Sequence, residues 1–584
     1  MKRRRLSAPG SACLTAVMLA IALPAASQGF GTITPGGVQP NIDRRLPLKE
    51  TEQPDYEIPA LPERPLDEDA GPRLKVRRFQ LEGVEDIAGT PLSQRDINRQ
   101  LEQIRREHPQ GFTIGELQAV ANQVTQFYRQ NGFILALAIL PEQDIKEGTV
   151  TITVLMGNLG QLSTANNTRY DDVLLKRPLV GLIGKPVQDS EVENALLRLN
   201  DLPGLEAAGI FRPGQDIGET ELVINTIKED ALEYVLIADN YGVESTGTQR
   251  LIGGVTWNNP LGTGDKLSLN VLQTFDPEDS VFGVVNYETR VMAPELLAGF
   301  SYSVNNYNIS QSIAFIDTDG ETRIASIYGK YLHTRSRKFN LTGVVDLSTK
   351  HAEVDGLVSG EDKLTVLSVG LELDGVDGWM GGGISKANLF YSQGISDFLG
   401  SMDRDDDGQA LRLSSNGERV GGDFKKLAFS WERLQLLDPN SVLNLRLQGQ
   451  FSDDLLSSIE QYSMGGPNSV RAYPVAEYVR DKAVFASVEW IIDAPGFSSK
   501  PAFNGRSWGE VLSVSLFFDF AEGRRNDPLF FENKTETIHG VGLGIQFKPI
   551  DTAFFKFETA TPTSSQDPSN GDDPQFWISV GIEL

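Results

Sequence analysis

Cysteine is nearly absent: the single one among 584 residues, Cys13, stands at the head of an apolar run near the N-terminus. With residues 2–5 basic, residues 13–23 apolar and Ala25-Ala26-Ser27 small, residues 1–27 are expected to be a secretory signal peptide. The mature chain then has no thiol, which excludes disulfides and cysteine metal sites and leaves core burial or a bilayer as its source of stability. Past the signal, no run of about eighteen apolar residues exists to form a membrane helix. Histidine is scarce: His108, His333, His351 and His539 are scattered, with neither a His-x-x-x-His pair nor a zinc-protease glutamate, and no nucleophile elbow or Walker loop is present. Catalysis is therefore not expected, and no cofactor is called for. Basic charge is in deficit, with a net of -26, which argues against a nucleic-acid partner.

Proline punctuates residues 28–73, where eight prolines between Pro35 and Pro72 deny any helix or ladder much length. This stretch is expected to be an extended linker. Residues 74–157 then read strand, helix, helix, strand, strand. Leu92, Ile97, Leu101 and Ile104 follow Ser93 as a candidate cap, and Thr113 and Glu116 form a capping box ahead of a second apolar stripe. Strands are expected over 133–140 and 149–155. Residues 158–230 repeat the order, with a helix capped by Ser190 and Glu193, so two small α+β modules are expected, their stripes packing helix on sheet.

From residue 231 to 584 the pattern becomes alternation. Leu267, Leu269, Val271 and Phe275 alternate with Lys266, Ser268, Asn270 and Thr274; Ile578, Val580, Ile582 and Leu584 alternate with Trp577, Ser579, Gly581 and Glu583. A sandwich shows the same alternation but rarely runs past three hundred residues as one domain. The expectation is an all-β transmembrane barrel set in outer-membrane lipid, of roughly sixteen strands at about twenty-two residues each; about fourteen or eighteen satisfy the same arithmetic.

Two local features could carry chemistry. Asp403, Asp405, Asp407 and Gly408 imitate the first half of a calcium loop, but Ser414 stands where a bidentate glutamate is needed, so a hydrated acidic loop is the plainer reading. The other is Gly465-Gly466-Pro467-Asn468-Ser469-Val470-Arg471-Ala472-Tyr473-Pro474, a tight turn presenting an arginine fork between apolar residues. Such a fork inside a lumen needs a carboxylate. If Phe518 and Phe520 face lipid, Asp519 faces inward; an unrelated lumen aspartate and loop arginine remain the alternative.

These features together resemble the two-partner secretion transporters of Gram-negative outer membranes (TpsB type). Residues 465–474 look like the family's Gly-Gly-x-x-x-Val-Arg-Gly-Tyr loop and residues 517–521, with Phe517 and Phe518, like its Phe-x-Asp-x-Gly strand motif. Asn200 to Gly214 is similar to the end of its second periplasmic module, and residues 239–242 and 259–265 to its opening barrel hairpin. The resemblance implies two periplasmic POTRA domains and a sixteen-stranded barrel, with Arg471 meeting Asp519 while Gly465, Gly466, Val470 and Tyr473 seat the loop. It implies as partner a secreted, β-helical TpsA-like exoprotein, exported by a barrel expected to act as a monomer. Ala472 and Ala521 depart from the pattern, standing where it has glycine, which bears on how closely loop and wall approach. An assembly factor that inserts other barrels, usually with more such modules, and a passive channel or adhesin are the competing readings.

Overall fold

The structure is a computed structural model that describes residues 56–57, 71–83, 94–145, 147–275, 280–309, 318–355, 359–403 and 410–584. The expected signal peptide, most of the expected linker, Ser93, Asp405 and Asp407 lie outside these residues. Two compact units are present, one formed by residues 50–231 with 258–265, the other by the remaining barrel sequence.

In the first module β2 (Arg78–Glu82), β3 (Leu137–Ile139) and β4 (Thr149–Leu155) form a sheet ordered β2-β4-β3, joined by α1 (Gln94–Glu107) and α2 (Ile114–Gln130). Thr113 caps α2 reciprocally: its Oγ1 accepts from Glu116 N at 3.1 Å, and its own N donates to Glu116 Oε2 at 2.8 Å. Phe79, Leu101, Phe112, Leu117, Val124 and Ile152 belong to one buried core. The strand expected over 133–140 is shorter, because Phe133 N bonds back to Tyr128 O and Ala136 N to Phe133 O, turning the chain first. That turn sends Phe133 into this core and Ile134 into the next one.

The second module carries β5 (Asn158–Ala165), α3 (Asp172–Lys176), α4 (Asp189–Asn200), β6 (Leu205–Pro213) and β7 (Glu219–Glu229). Helix α4 does not use the expected Ser190–Glu193 box. It begins at Asp189 with Gln188 at the cap and no side-chain cap bond, so Ser190 is already inside the first turn. The linker also differs from expectation: β1 (Tyr56–Glu57) pairs parallel with Gly209 and Ile210 on β6, giving the order β1-β6-β7-β5.

Sixteen further strands close into an antiparallel barrel. In chain order they are β8 (Leu232–Asp239), β9 (Gln249–Asn258), β10 (Lys266–Phe275), β11 (Val281–Arg290), β12 (Leu296–Ile309), β13 (Thr318–Thr334), β14 (Phe339–Asp355) and β15 (Gly360–Asp377). After these come β16 (Gly383–Gly394), β17 (Lys425–Asp438), β18 (Ser441–Phe451), β21 (Lys482–Asp493), β22 (Leu512–Arg524), β23 (Thr535–Ile550), β24 (Ala553–Pro562) and β25 (Gln575–Glu583). The numbers between belong to a ribbon within one loop, β19 (Tyr462–Met464) with β20 (Tyr478–Arg480). Pairing of β25 with β8 removes the last edge, so every strand satisfies its backbone within the wall, as a bilayer demands. Alternation follows the sequence: Ile578 and Val580 are exposed on the outer face, whereas Trp577 and Ser579 are buried facing the lumen. We call the rim where β8 begins the entry end and the opposite rim the far end.

Candidate functional site: a loop held in the barrel lumen

Between β18 and β21 the chain spends residues 452–481 on a far-end loop that turns back into the barrel. The β19–β20 ribbon carries it inward, and its tip reverses at Gly465 (φ 97) and Gly466 (φ 89). Both glycines are obligatory there: besides the positive φ, a Cβ on Gly466 would meet Val475 at 2.8 Å, and one on Gly465 would run into the Pro474 carbonyl. Gly466 N then bonds Tyr473 O at 2.9 Å and Tyr473 N bonds Val470 O at 3.1 Å, which fixes the tip. Val470 and Tyr473 are fully buried in a cluster with the wall residues Phe485, Phe517, Ala521 and Ile538. The Tyr473 hydroxyl reaches the loop between β24 and β25, bonding Ser564 Oγ and, at 2.8 Å, Gln566 O.

Arg471 is completely buried, and its five N–H donors all point to wall groups. Nε donates to Asp519 Oδ2 at 2.8 Å and Nη2 to Asp519 Oδ1 at 2.9 Å, the bidentate pair looked for in the sequence. Nη1 is shared between Glu558 Oε1 at 2.6 Å and Glu489 Oε2 at 3.1 Å; Nη2 also reaches Ser487 Oγ at 3.4 Å. The Phe517 ring lies under the guanidinium, its centroid 3.2 Å from the guanidinium carbon. The main chain is held as well, with Arg471 N on Asp519 Oδ2 at 3.2 Å and Trp577 Nε1 donating to Arg471 O at 2.7 Å. Three carboxylates thus face Arg471, with Lys556 on Glu558 at 2.9 Å and Arg446 at 3.9 Å from Asp519, so formal charges balance.

Phe518 is on the outer face, its neighbour Asp519 inside. Glu489, Glu558, Ser487 and Trp577 were not singled out from the sequence. Their signal was there as polar or bulky residues at inward positions of alternating strands, but only the register unites them: Ser487 pairs with Asp519, and Glu558 with Trp577.

Ala472 and Ala521 are accommodated without strain. Neither has a positive φ, and the close approach is supplied by the opposite strand. Gly540, Gly542 and Gly544 present a side-chain-free furrow along β23, where a Cβ on Gly540 would overlap the Ala472 methyl and one on Gly542 the Phe517 ring.

The loop is also fastened at its root. Arg412, between β16 and β17, grips Asp481 through Nη1 at 2.5 Å and Nη2 at 2.9 Å, and donates to Leu456 O and Asn526 O. Asp481 in turn accepts from Leu456 N, Gln461 Nε2 and Asn526 N. Buried Glu460 sits between Lys350 and Lys426, at 2.5 Å from each. No group of three or more His, Cys, Asp or Glu is placed to hold a metal among the described residues; of the acidic run, only Asp403 is among them.

The haemolysin secretion/activation protein model (ShlB/FhaC/HecB) matches residues 218–487, and the ShlB-type POTRA domain model matches residues 74–157. The chain belongs to the haemolysin secretion/activation family. It is 24% identical over 481 residues to the heme/hemopexin transporter protein HuxB of Haemophilus influenzae (strain 86-028NP), covering 80% of this chain and 81% of the relative. The outer membrane transporter CdiB of Escherichia coli O6:K15:H31 is 26% identical over 377 residues, 62% of this chain and 61% of that one. The solved structure of CdiB from Escherichia coli superposes with a TM-score of 0.67 at 20% identity, covering 92% and 95% of the two chains, and so shares the fold. As a member of this haemolysin secretion family, the chain is a two-partner secretion transporter of the outer membrane, its POTRA domains in the periplasm.

Proposed function

We propose that this transporter captures an unfolded, β-helix-forming exoprotein on its periplasmic modules and passes it in extended form through the barrel, with Arg471 and its carboxylates holding the resting loop. The domains proposed are 1–27 signal peptide, 28–73 linker, 74–157 and 158–230 POTRA modules, and 231–584 barrel. Capture is by strand addition, in which an incoming segment pairs with unpaired backbone at a sheet edge. Two features support this. Among the described residues no strand pairs along the outer edge of β2, and the outer edge of β6 already takes up an extended segment, Tyr56–Glu57. No residue is assigned a catalytic role; folding of the exoprotein outside biases the direction.

The observation that carries the reading is the complete burial of Arg471, on a loop tip, against three wall carboxylates. A loop meant only to face water would have no such anchorage. Removing one partner from a buried ion pair costs about 3–5 kcal/mol, enough to free the tip while the wall, closed by its own ladders, stays folded. Arg471→Ala is therefore expected to lower the amount of exoprotein released while heat-modifiable barrel in the membrane stays near normal. Unchanged release at equal barrel level would remove the loop from the mechanism.

A further inference from the structure

Most turns at the entry end are brief: residues 439–440 join β17 to β18, and 551–552 join β23 to β24. Between β21 and β22 the chain instead uses residues 494–511, folded on themselves. Ala502 N bonds Arg506 O at 2.8 Å and Arg506 N bonds Phe503 O at 2.9 Å across Asn504 (φ 53) and Gly505 (φ 78), the backbone of a tight hairpin turn. Trp508 N returns to Lys500 O at 2.9 Å, and Ser507 and Glu510 cap the short helix α5 (Trp508–Val511) reciprocally. This rigid turn gathers aromatic rings. Phe497 and Phe503 meet Trp508 edge-on at 5.7 and 5.4 Å, and Phe503 meets Phe547 of β23 at 6.2 Å.

The register says which side of the wall this cluster occupies. Directly paired residues share a face, and Phe547 pairs with Leu512 in the same alternating rank as the pairs Ile545–Val514, Leu543–Leu516 and Val541–Phe518. Leu543, Leu516 and Phe518 are among the exposed apolar residues of the outer belt. The turn is thus folded onto the lipid-facing surface at its periplasmic margin, with Phe503 left 46% exposed. Lys500 is exposed beside it, and Arg506 is fixed by Lys548 O, Glu510 O and Asp551. Aromatic rings with flanking cations match the boundary between acyl chains and phosphate groups.

We infer that residues 497–508 form a foot inserted into the periplasmic leaflet, with phospholipid as its partner at the level where acyl chain meets headgroup. Continuity with the lipid belt selects lipid over protein as the occupant. The foot leads directly into β22, so it sets the depth of the strand that carries Asp519.

The test uses the full mature chain, in which an introduced cysteine is the sole thiol. Phe503→Cys, Leu543→Cys on the outer belt and Asp453→Cys, whose side chain is 97% exposed on a far-end loop, each receive a small environment-sensitive fluorophore. The proteins are reconstituted in phosphatidylethanolamine–phosphatidylglycerol vesicles with a nitroxide placed either near the lipid carbonyls or near the chain ends. The label at 503 should be quenched most by the shallow nitroxide, that at 543 more by the deep one, and that at 453 only by aqueous iodide. If the label at 503 behaves like that at 453, or is shielded from iodide only when exoprotein is added, the inference is overturned. Lys500→Cys reads the same boundary should Phe503→Cys fail to give a heat-modifiable barrel.

Discussion

At the scale of single residues, the fit between loop tip and wall depends on what β23 lacks. Gly540 stands in the row Ser487–Asp519–Gly540 across three strands, and its missing side chain leaves room for Ala472. The backbone there is paired on both sides and cannot retreat, and a Cβ would also lie 2.8 Å from Thr561 O. Gly540→Ala should therefore displace the tip, raising protease cutting of the loop and lowering export, with barrel assembly intact. Adding Ala472→Gly removes the opposing methyl and should restore part of both. Should the double variant be no better than the single, the approach between these two positions is not what seats the loop. This also answers the question posed by Ala472 and Ala521: the side-chain-free approach is made on β23, in an alternating run of glycines whose partner was invisible without the register.

At the scale of elements, the loop at 452–481 is fastened at three levels: tip to wall through Arg471, arm to wall through Glu460, and root to neighbouring loops through Asp481. A fourth contact titrates. Burial pushes the Glu477 carboxyl up to about 7, against hydrogen bonds from Ser569 N and Oγ and with Glu244 and Glu536 adding to the rise. An ordinary glutamate titrates near 4.3. The folded loop thus holds a proton that the released loop gives up, so this stabilisation is full below about pH 4.3 and is lost as pH rises through about 7. Hydrogen exchange of residues 465–478 should be slower at about pH 5.5 than at about pH 8 after correction for intrinsic rates. In Glu477→Gln the loop should be protected at both. A pH dependence that survives in Glu477→Gln would assign the titration to another group.

At the scale of the whole molecule, what was legible in the sequence was whatever repeats locally. Period-two alternation gave the barrel and its outer face, and Thr113–Glu116 gave the start of α2, because each signal lies within a few residues. Asp519 could be aimed inward by parity and matched to Arg471. Glu489 and Glu558 could not, since their meeting depends on which strands are neighbours. The β1–β6 pairing was hidden because prolines argue against ladders and two residues make no pattern. The edge of β2 that no strand pairs among the described residues has the same character: Arg78, Phe79, Gln80 and Leu81 line a groove of about 380 Å³ with Asn98, Leu101 and Glu102 of α1. If an extended exoprotein adds to β2, its side chains must use this groove, and filling it blocks capture while leaving the barrel, a separate compact unit, untouched. Asn98 is exposed on α1, so Asn98→Trp can occupy the groove without entering the core. Export should fall, with barrel level, heat-modifiability and loop protection as in the parent, whereas Arg99→Trp, one residue along the same exposed stretch, should export normally. Normal export from Asn98→Trp would move capture away from β2, to the β6 edge where the linker strand now sits.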